Sequence, residues 1–337
     1  MASMSPVGAY RHGGRLHEAA TAFPHAPKPW LDLSTGINPE PWQGSRAAWS
    51  DLSRLPDPAE IADLESIAAA AFGVEDPRRV LATAGAEAGL RLLPAVVGAS
   101  GLAIVSPTYT GHEMAWRLAE RSVTTVALEA AFETTVSALV LVNPNNPDGR
   151  HLERTAVLDL AARRSSLGRW TIVDESFVET APDLSVAGAS IERLIVLRSF
   201  GKFYGLPGVR LGFVIAEPVV VERLQASQGD WPISADAIAI GRGAYLDETW
   251  RVQTRERLER DAQALDRLLV AHGLTVVGGT SLFRLVSTPQ AAGIFEVLCE
   301  QGILTRPFEH AADRLRIGVP RETGLARLAA ALQGLRP

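Results

Sequence analysis

Lysine is scarce in this chain. Of 33 basic residues only Lys28 and Lys202 are lysines, so arginine supplies positive charge wherever charge alone is needed. An amine that remains is a candidate for chemistry, because only an amine forms an imine with an aldehyde. Lys28 stands between Pro27 and Pro29 with no other reactive group nearby in sequence. Lys202 closes the run Ser199-Phe200-Gly201-Lys202, eight residues before Arg210, and three further segments precede it: Thr83-Ala84-Gly85-Ala86-Glu87, Val142-Asn143-Pro144-Asn145-Asn146-Pro147-Asp148-Gly149, and Ile172-Val173-Asp174-Glu175. Each follows a short apolar run that reads as a buried strand, and open α/β sheets bind ligands at strand ends. Taken singly, each has an ordinary use: Asn-Pro-Asn-Asn-Pro as a turn, a strand-ending Asp as a cap, Tyr109 as packing, Arg210 as a surface pair. Their occurrence together and in this order points to a ligand site.

Other chemistries do not fit the spacing. A P-loop requires Gly at position 196 and Ser or Thr after Lys202, where Val196 and Phe203 stand. Gly241-Arg242-Gly243 has Leu246 in place of the last glycine of a dinucleotide fingerprint. The seven histidines have no metal-ligand spacing, His112-Glu113 being followed by Trp116, so no metal is expected. Cys299, the only cysteine, lies in the apolar run 294–299; it reads as a buried structural thiol and excludes an internal disulfide.

The elements that position these residues follow the βαβ rhythm of an α/β domain with a mainly parallel sheet. Strands are expected at 79–82, 102–105, 138–142, 170–173, 194–197 and 212–215, with helices at 86–97, 111–121 and 152–166. From about residue 235 the pattern changes. A long polar helix at 247–272, rich in Arg/Glu pairs at helical spacing, leads to strands at 274–277, 281–286 and 314–319 and a last helix at 322–335, the pattern of a smaller α+β domain. The chain therefore divides into an amino-terminal arm (1–40), a large domain (41–246) and a small domain (247–337). The 337 residues are 47% hydrophobic with a formal net charge of −5, which gives no footprint for nucleic acid. No stretch resembles a signal peptide or membrane span, and a cytoplasmic protein is expected.

The order and spacing of the four segments resemble those of the class I/II pyridoxal-phosphate aminotransferases, and the resemblance covers nearly the whole chain. It implies the fold type I of PLP-dependent transferases and a homodimer. It also implies that Lys202 holds pyridoxal 5′-phosphate as a Schiff base and moves the proton at the substrate α-carbon, that Asp174 pairs with the pyridinium nitrogen, that Asn146 bonds the phenolic oxygen and that Tyr109 stacks on the ring. Gly85, Ala86 and Glu87, opening a helix, would take the cofactor phosphate with Ser199 and Arg210. Arg316, in Leu315-Arg316-Ile317-Gly318-Val319, would grip the substrate carboxylate; read without the family it is an edge-strand surface arginine.

Within that family, His12-Gly13-Gly14 and the run Leu31-Asp32-Leu33-Ser34-Thr35-Gly36-Ile37-Asn38-Pro39 resemble the start of the threonine-phosphate decarboxylases of cobalamin biosynthesis, relatives of the histidinol-phosphate aminotransferases. This implies a small phosphorylated amino acid as substrate and decarboxylation as reaction, with His12 and Asn38 near the substrate and Arg306 or Arg321 as further charge. Transamination is the alternative, and a non-catalytic PLP-binding regulator the remote one, since no basic DNA-binding module is appended. Two departures stand out. Phe177 replaces a frequent tyrosine three residues after the strand-ending Asp, and Leu55 precedes Pro56-Asp57 where some relatives carry a tyrosine that reaches the neighbouring subunit. The lysine assignment has a direct check: Lys202→Ala is expected to abolish both the visible absorbance of bound cofactor and turnover, while Lys28→Ala retains both.

Overall fold

The computed structural model describes residues 13–334. They form two compact units, one made of residues up to Glu40 together with those from Val252 onward, the other of Pro41–Arg251. The arm contributes a short strand, β1 (Leu31–Asp32), to the first of these.

The Pro41–Arg251 unit is built on a sheet of seven strands: β2 (Val80–Thr83), β3 (Gly101–Val105), β4 (Ser122–Val126), β5 (Ala138–Val142), β6 (Trp170–Asp174), β7 (Leu194–Ser199) and β8 (Gly212–Ile215). Their spatial order is β2-β8-β7-β6-β5-β3-β4. Strands β3 to β7 run parallel, and β8 is antiparallel to both neighbours. The central strands are continuous Val/Ile/Leu runs because both faces of a parallel sheet are covered, and Leu139, Val140, Ile172 and Ile195 are accordingly buried. Edge strand β4, Ser-Val-Thr-Thr-Val, is mostly exposed.

Register aligns the chemistry-bearing ends. Val142 stands beside Asp174, and Asp174 beside Leu197. Because β8 reverses direction, its first residue, Gly212, is paired on one side with Ser199 and on the other with Thr83. The carboxyl ends of β2, β5, β6 and β7 therefore share one edge of the sheet. A Cβ on Gly212 would fall 2.2 Å from the Ala86 nitrogen, so the bare backbone there is what lets the helix Ala86–Val96 start against the sheet.

In the other unit β9 (Thr275–Thr280), β10 (Phe283–Ser287), β12 (Arg306–Phe308) and β13 (Ala311–Gly318) form a sheet in the order β12-β13-β10-β9, and β11 (Ile303–Leu304) pairs in parallel with β1. Leu265, Leu269, Phe295, Leu298, Ile317 and Leu328 lie in its core, with Ala19 from the arm helix Leu16–Ala22 and Leu33 from just after β1. Cys299 is buried in the helix Ala291–Glu300, and burial, with the nearby Glu296 and Glu300, pushes its thiol up to about 12, which makes it a poor nucleophile. The long helix Glu248–Ala271 contains the boundary between the units in its first turn. No helix among the described residues is long and apolar enough to cross a membrane.

The outer edge of β2 is closed by side chains. Glu65 Oε1 accepts from the Ala82 N–H at 2.8 Å, and Gln228 Nε2 donates to the Ala82 carbonyl at 3.1 Å, a block against strand addition. Burial, opposed by the Ala82 bond, raises Glu65 to about 7. An acid whose folded pKa is raised contributes stability at low pH that disappears as pH rises through that value. Glu65→Gln keeps an acceptor without the charge, so it is expected to raise Tm by about 2–4 °C at alkaline pH and to change little under acid conditions, measured by thermal melts.

Candidate active site

The end of β2 turns through Gly85, at φ 85°, into the eleven-residue helix Ala86–Val96. Free N–H groups and the positive dipole end of such a helix suit an anion. Arg210 brings a charge to the same place: a Cβ on Gly85 would lie 2.5 Å from its Nη2. Arg210 itself adopts the left-handed conformation, at φ 58° and ψ 57°, and its Nη1 donates to the Pro207 carbonyl at 3.2 Å. Ser199 ends β7 directly beside Gly212. The five residues expected to hold a phosphate, Gly85, Ala86, Glu87, Ser199 and Arg210, are thus collected at one corner of the sheet. Glu87 adds a second function, because its carboxylate accepts from the Tyr109 hydroxyl at 3.1 Å and from Arg91 Nε at 2.8 Å. It thereby holds the aromatic ring.

Asp174 ends β6 with 4% exposure. Its Oδ1 accepts from the Ser176 N–H at 2.9 Å and the Ser176 hydroxyl at 2.5 Å, while Oδ2 lies 2.8 Å from His112 Nε2. Burial raises its pKa, but the His112 bond and charge and the two Ser176 bonds outweigh that, so the carboxyl ionises below its ordinary range. Tyr109, edge-on to His112 with ring centroids 6.2 Å apart, precedes the same helix, Gly111–Leu118. Asn146 follows β5, which is next to β6 and three strands from β8. Lys202 lies in the short helix Phe200–Phe203 after β7, its Nζ 5.7 Å from the centre of the Phe177 ring. The position of that replaced tyrosine is therefore beside the amine.

A buried ion triad braces these strand ends. Arg198 Nη1 bonds Glu175 at 2.8 Å and Nη2 bonds Glu179 at 2.5 Å, with the guanidinium carbon 4.4 Å from the centre of the Phe72 ring. Glu175 follows Asp174 and Arg198 precedes Ser199, so the triad and the ligand-facing groups are neighbours in sequence on both strands.

In the other unit Arg316 sits on β13, between β12 and β10. This corrects the edge-strand alternative: the side chain is 2% exposed, its guanidinium carbon lies 5.0 Å from the centre of the Phe283 ring, and Nη2 donates to the Ser34 carbonyl at 2.6 Å. Arg306 is its direct partner in register. Asn38 is buried, with its side-chain oxygen accepting from Arg257 Nη2 at 2.9 Å and from the Glu40 N–H at 3.0 Å. Arg321 is exposed before the helix Glu322–Gln333, and Leu55 is exposed in the other unit. His12 lies outside the described residues.

Sequence reasoning missed His112 and Ser176. It weighed His112 only as a metal ligand, although His112, Ala115 and Trp116 repeat at helical spacing on a buried face, the available sign that this histidine points into the sheet. With His112→Ala, burial is left to dominate Asp174 and its pKa rises; since a depressed acid loses its ionised form as pH falls through its folded pKa, the acid limb of the pH–rate profile is expected to move to higher pH by about one unit or more. An acid limb that does not move in H112A would show that His112 does not govern this carboxylate.

The family described as aminotransferase class I and II matches residues 10–332. The threonine-phosphate decarboxylase of Pseudomonas aeruginosa is 39% identical over 330 residues, covering 96% of this chain and 98% of its own. That of a Sinorhizobium species is 40% identical over 325 residues, covering 95% and 97%. Among solved structures, L-threonine-O-3-phosphate decarboxylase from Porphyromonas gingivalis matches with a TM-score of 0.77 at 22% identity, over 90% of this chain and 98% of its own, which shows the fold. By sequence, and with the sheet and strand-end residues described above, the chain belongs to the class I and II aminotransferase family.

Proposed function

We propose that this protein is a pyridoxal 5′-phosphate enzyme that decarboxylates L-threonine O-3-phosphate to (R)-1-aminopropan-2-yl phosphate for cobalamin biosynthesis, as a cytoplasmic homodimer. The reading is carried by its 39% and 40% identity, over nearly the full length of both chains, to two threonine-phosphate decarboxylases.

The residues present fit the cofactor. A helix start with Arg210 against Gly85 matches a phosphate, and a buried carboxylate kept ionised by His112 and Ser176 matches a protonated ring nitrogen. When bound, the cofactor supplies an aldehyde for imine formation and a conjugated ring that accepts the electron pair left as carbon dioxide departs. Every other part of the task falls to the protein. The Asp174 anion favours a proton on the nitrogen facing it. Glu87 holds Tyr109, whose ring would pack against the cofactor. The Asn146 amide would donate to the phenolic oxygen. Lys202 Nζ would hold the cofactor through its aldehyde carbon and, once displaced by the substrate amine, would hold and return the proton at the substrate α-carbon. Phe177, near that amine, contributes a flat apolar wall and no hydroxyl.

Substrate recognition rests on arginine. Partners directly opposite on antiparallel strands project to the same face, and like charges placed so are destabilising on their own. Arg306 and Arg316 are such a pair. Burial, with the Arg306 charge, pulls Arg316 down to about 9, and Asp32 opposes this. An arriving anion would relieve both the repulsion and the cost of the buried cation. The planar fork of Arg316 suits the carboxylate, Arg306 adds charge for a second anionic group, and Asn38 and His12 complete the set. Holding the carboxylate would restrict the orientation of the substrate α-carbon, and so which of its bonds is made labile. The decisive experiment incubates purified protein and pyridoxal phosphate with L-threonine O-3-phosphate and no oxo acid. Carbon dioxide and aminopropanol phosphate are expected in equal amounts; formation of neither, with glutamate appearing on addition of 2-oxoglutarate, would replace decarboxylation by transamination.

A further inference from the structure

Ser34 is buried and makes bonds in three directions. Its N–H and its hydroxyl both donate to Asp32 Oδ1, at 2.8 and 2.5 Å. With the hydroxyl proton committed there, the oxygen presents its lone pairs elsewhere, and it accepts from the Gly14 N–H at 2.8 Å. Its carbonyl accepts from Arg316 Nη2 at 2.6 Å. The arm backbone also runs close to that carbonyl, since a Cβ on Gly13 would fall 2.5 Å from the Ser34 oxygen and only glycine fits there. One residue thus ties the arm through its side chain and the buried guanidinium through its backbone. Asp32 removes the rotational freedom that would let these two bonds act independently.

We propose that Ser34 is a positioning residue that couples the aim of the Arg316 guanidinium to the seating of the arm at Gly13–Gly14. The proposal rests on the reading of Arg316 as receptor for the substrate carboxylate. With the arm seated, Gly13 backs the Ser34 carbonyl and keeps it directed at Nη2, which orients the rest of the planar fork for a carboxylate. With the arm displaced, the carbonyl loses its backing and the fork its fixed orientation. The link runs both ways, as any coupling free energy must: a guanidinium held in place holds the carbonyl, and through it the arm.

Side chain and backbone can be separated by mutation. Ser34→Ala deletes the hydroxyl's bonds to Gly14 and Asp32 and leaves the carbonyl, so an effect on ligand affinity reports the side chain's hold on the carbonyl; Ser34→Thr restores the hydroxyl. In the holoenzyme, S34A is expected to raise KM for L-threonine O-3-phosphate about five- to tenfold with kcat within about twofold of the parent, and S34T to stay near the parent. Amide hydrogen exchange of the arm peptide 13–22, measured on the holoenzyme without substrate, supplies the second readout. Exchange is expected to accelerate about five- to tenfold in S34A and to accelerate also in Arg316→Gln, which removes the guanidinium bonded to the Ser34 carbonyl. Arm exchange in R316Q equal to that of the parent, or an S34A enzyme with faster exchange and unchanged KM, would overturn the coupling. A parent enzyme inactive on threonine phosphate would instead remove the proposed reaction, with the exchange comparison still deciding the role of Ser34.

Discussion

A carboxylate buried at the end of the central strand of a parallel sheet is the constraint around which this molecule is organised. An isolated charge in such a place costs many kcal/mol, and a buried carboxyl without partners takes up a proton instead. Asp174 stays ionised because His112 and Ser176 meet both of its oxygens. A cation placed against it is then stabilised far more than it would be in water. One residue further along each strand, Arg198 pairs with Glu175 and Glu179, although there burial outweighs the partners and raises the Glu175 pKa. This triad leaves the two strand ends little freedom to shift apart, so the carboxylate and the lysine keep their relative places.

Sheet topology turns that constraint into a site. Parallel strands β5, β6 and β7 deliver Asn146, Asp174 and Lys202 to one edge, and the single reversal at β8 brings Gly212, and with it the start of the helix Ala86–Val96, to the same edge. The placement of Arg210 beside the helix start at one corner and of the Asp174 carboxylate at the centre follows from strand direction and register. Two side-chain-free positions, Gly85 and Gly212, permit the close approach.

Much of this was legible from residue type. Strands with continuous Val/Ile/Leu runs were visible because burial on both faces demands them, and the groups at their ends were visible because their types are chemically unusual there. Strand β4 was not, since an exposed edge needs no apolar run and its Ser and Thr residues read as loop. The helix Pro58–Phe72 went unread, although Asp57, Pro58 and Glu60 form a capping box and Gly73 ends it in the left-handed conformation; these are local signals that periodicity alone passes over. For Arg316 the edge-strand alternative stayed open beside the carboxylate reading because strand order is a non-local property. The same holds for its bond to Ser34, which joins residues from opposite ends of the chain, and for His112, whose partner Asp174 lies two strands and a helix away in sequence.

The proposed role of Asp174 is to remain an anion and so to keep a proton on the group facing it. The direct measurement is the nuclear magnetic resonance shift of an isotope-labelled ring nitrogen in pyridoxal phosphate bound to the protein, followed across about pH 6–9. The account predicts the shift of a protonated nitrogen throughout that range in the parent protein, and loss of that proton at the alkaline end in Asp174→Asn. An unprotonated nitrogen at neutral pH in the parent protein would contradict it.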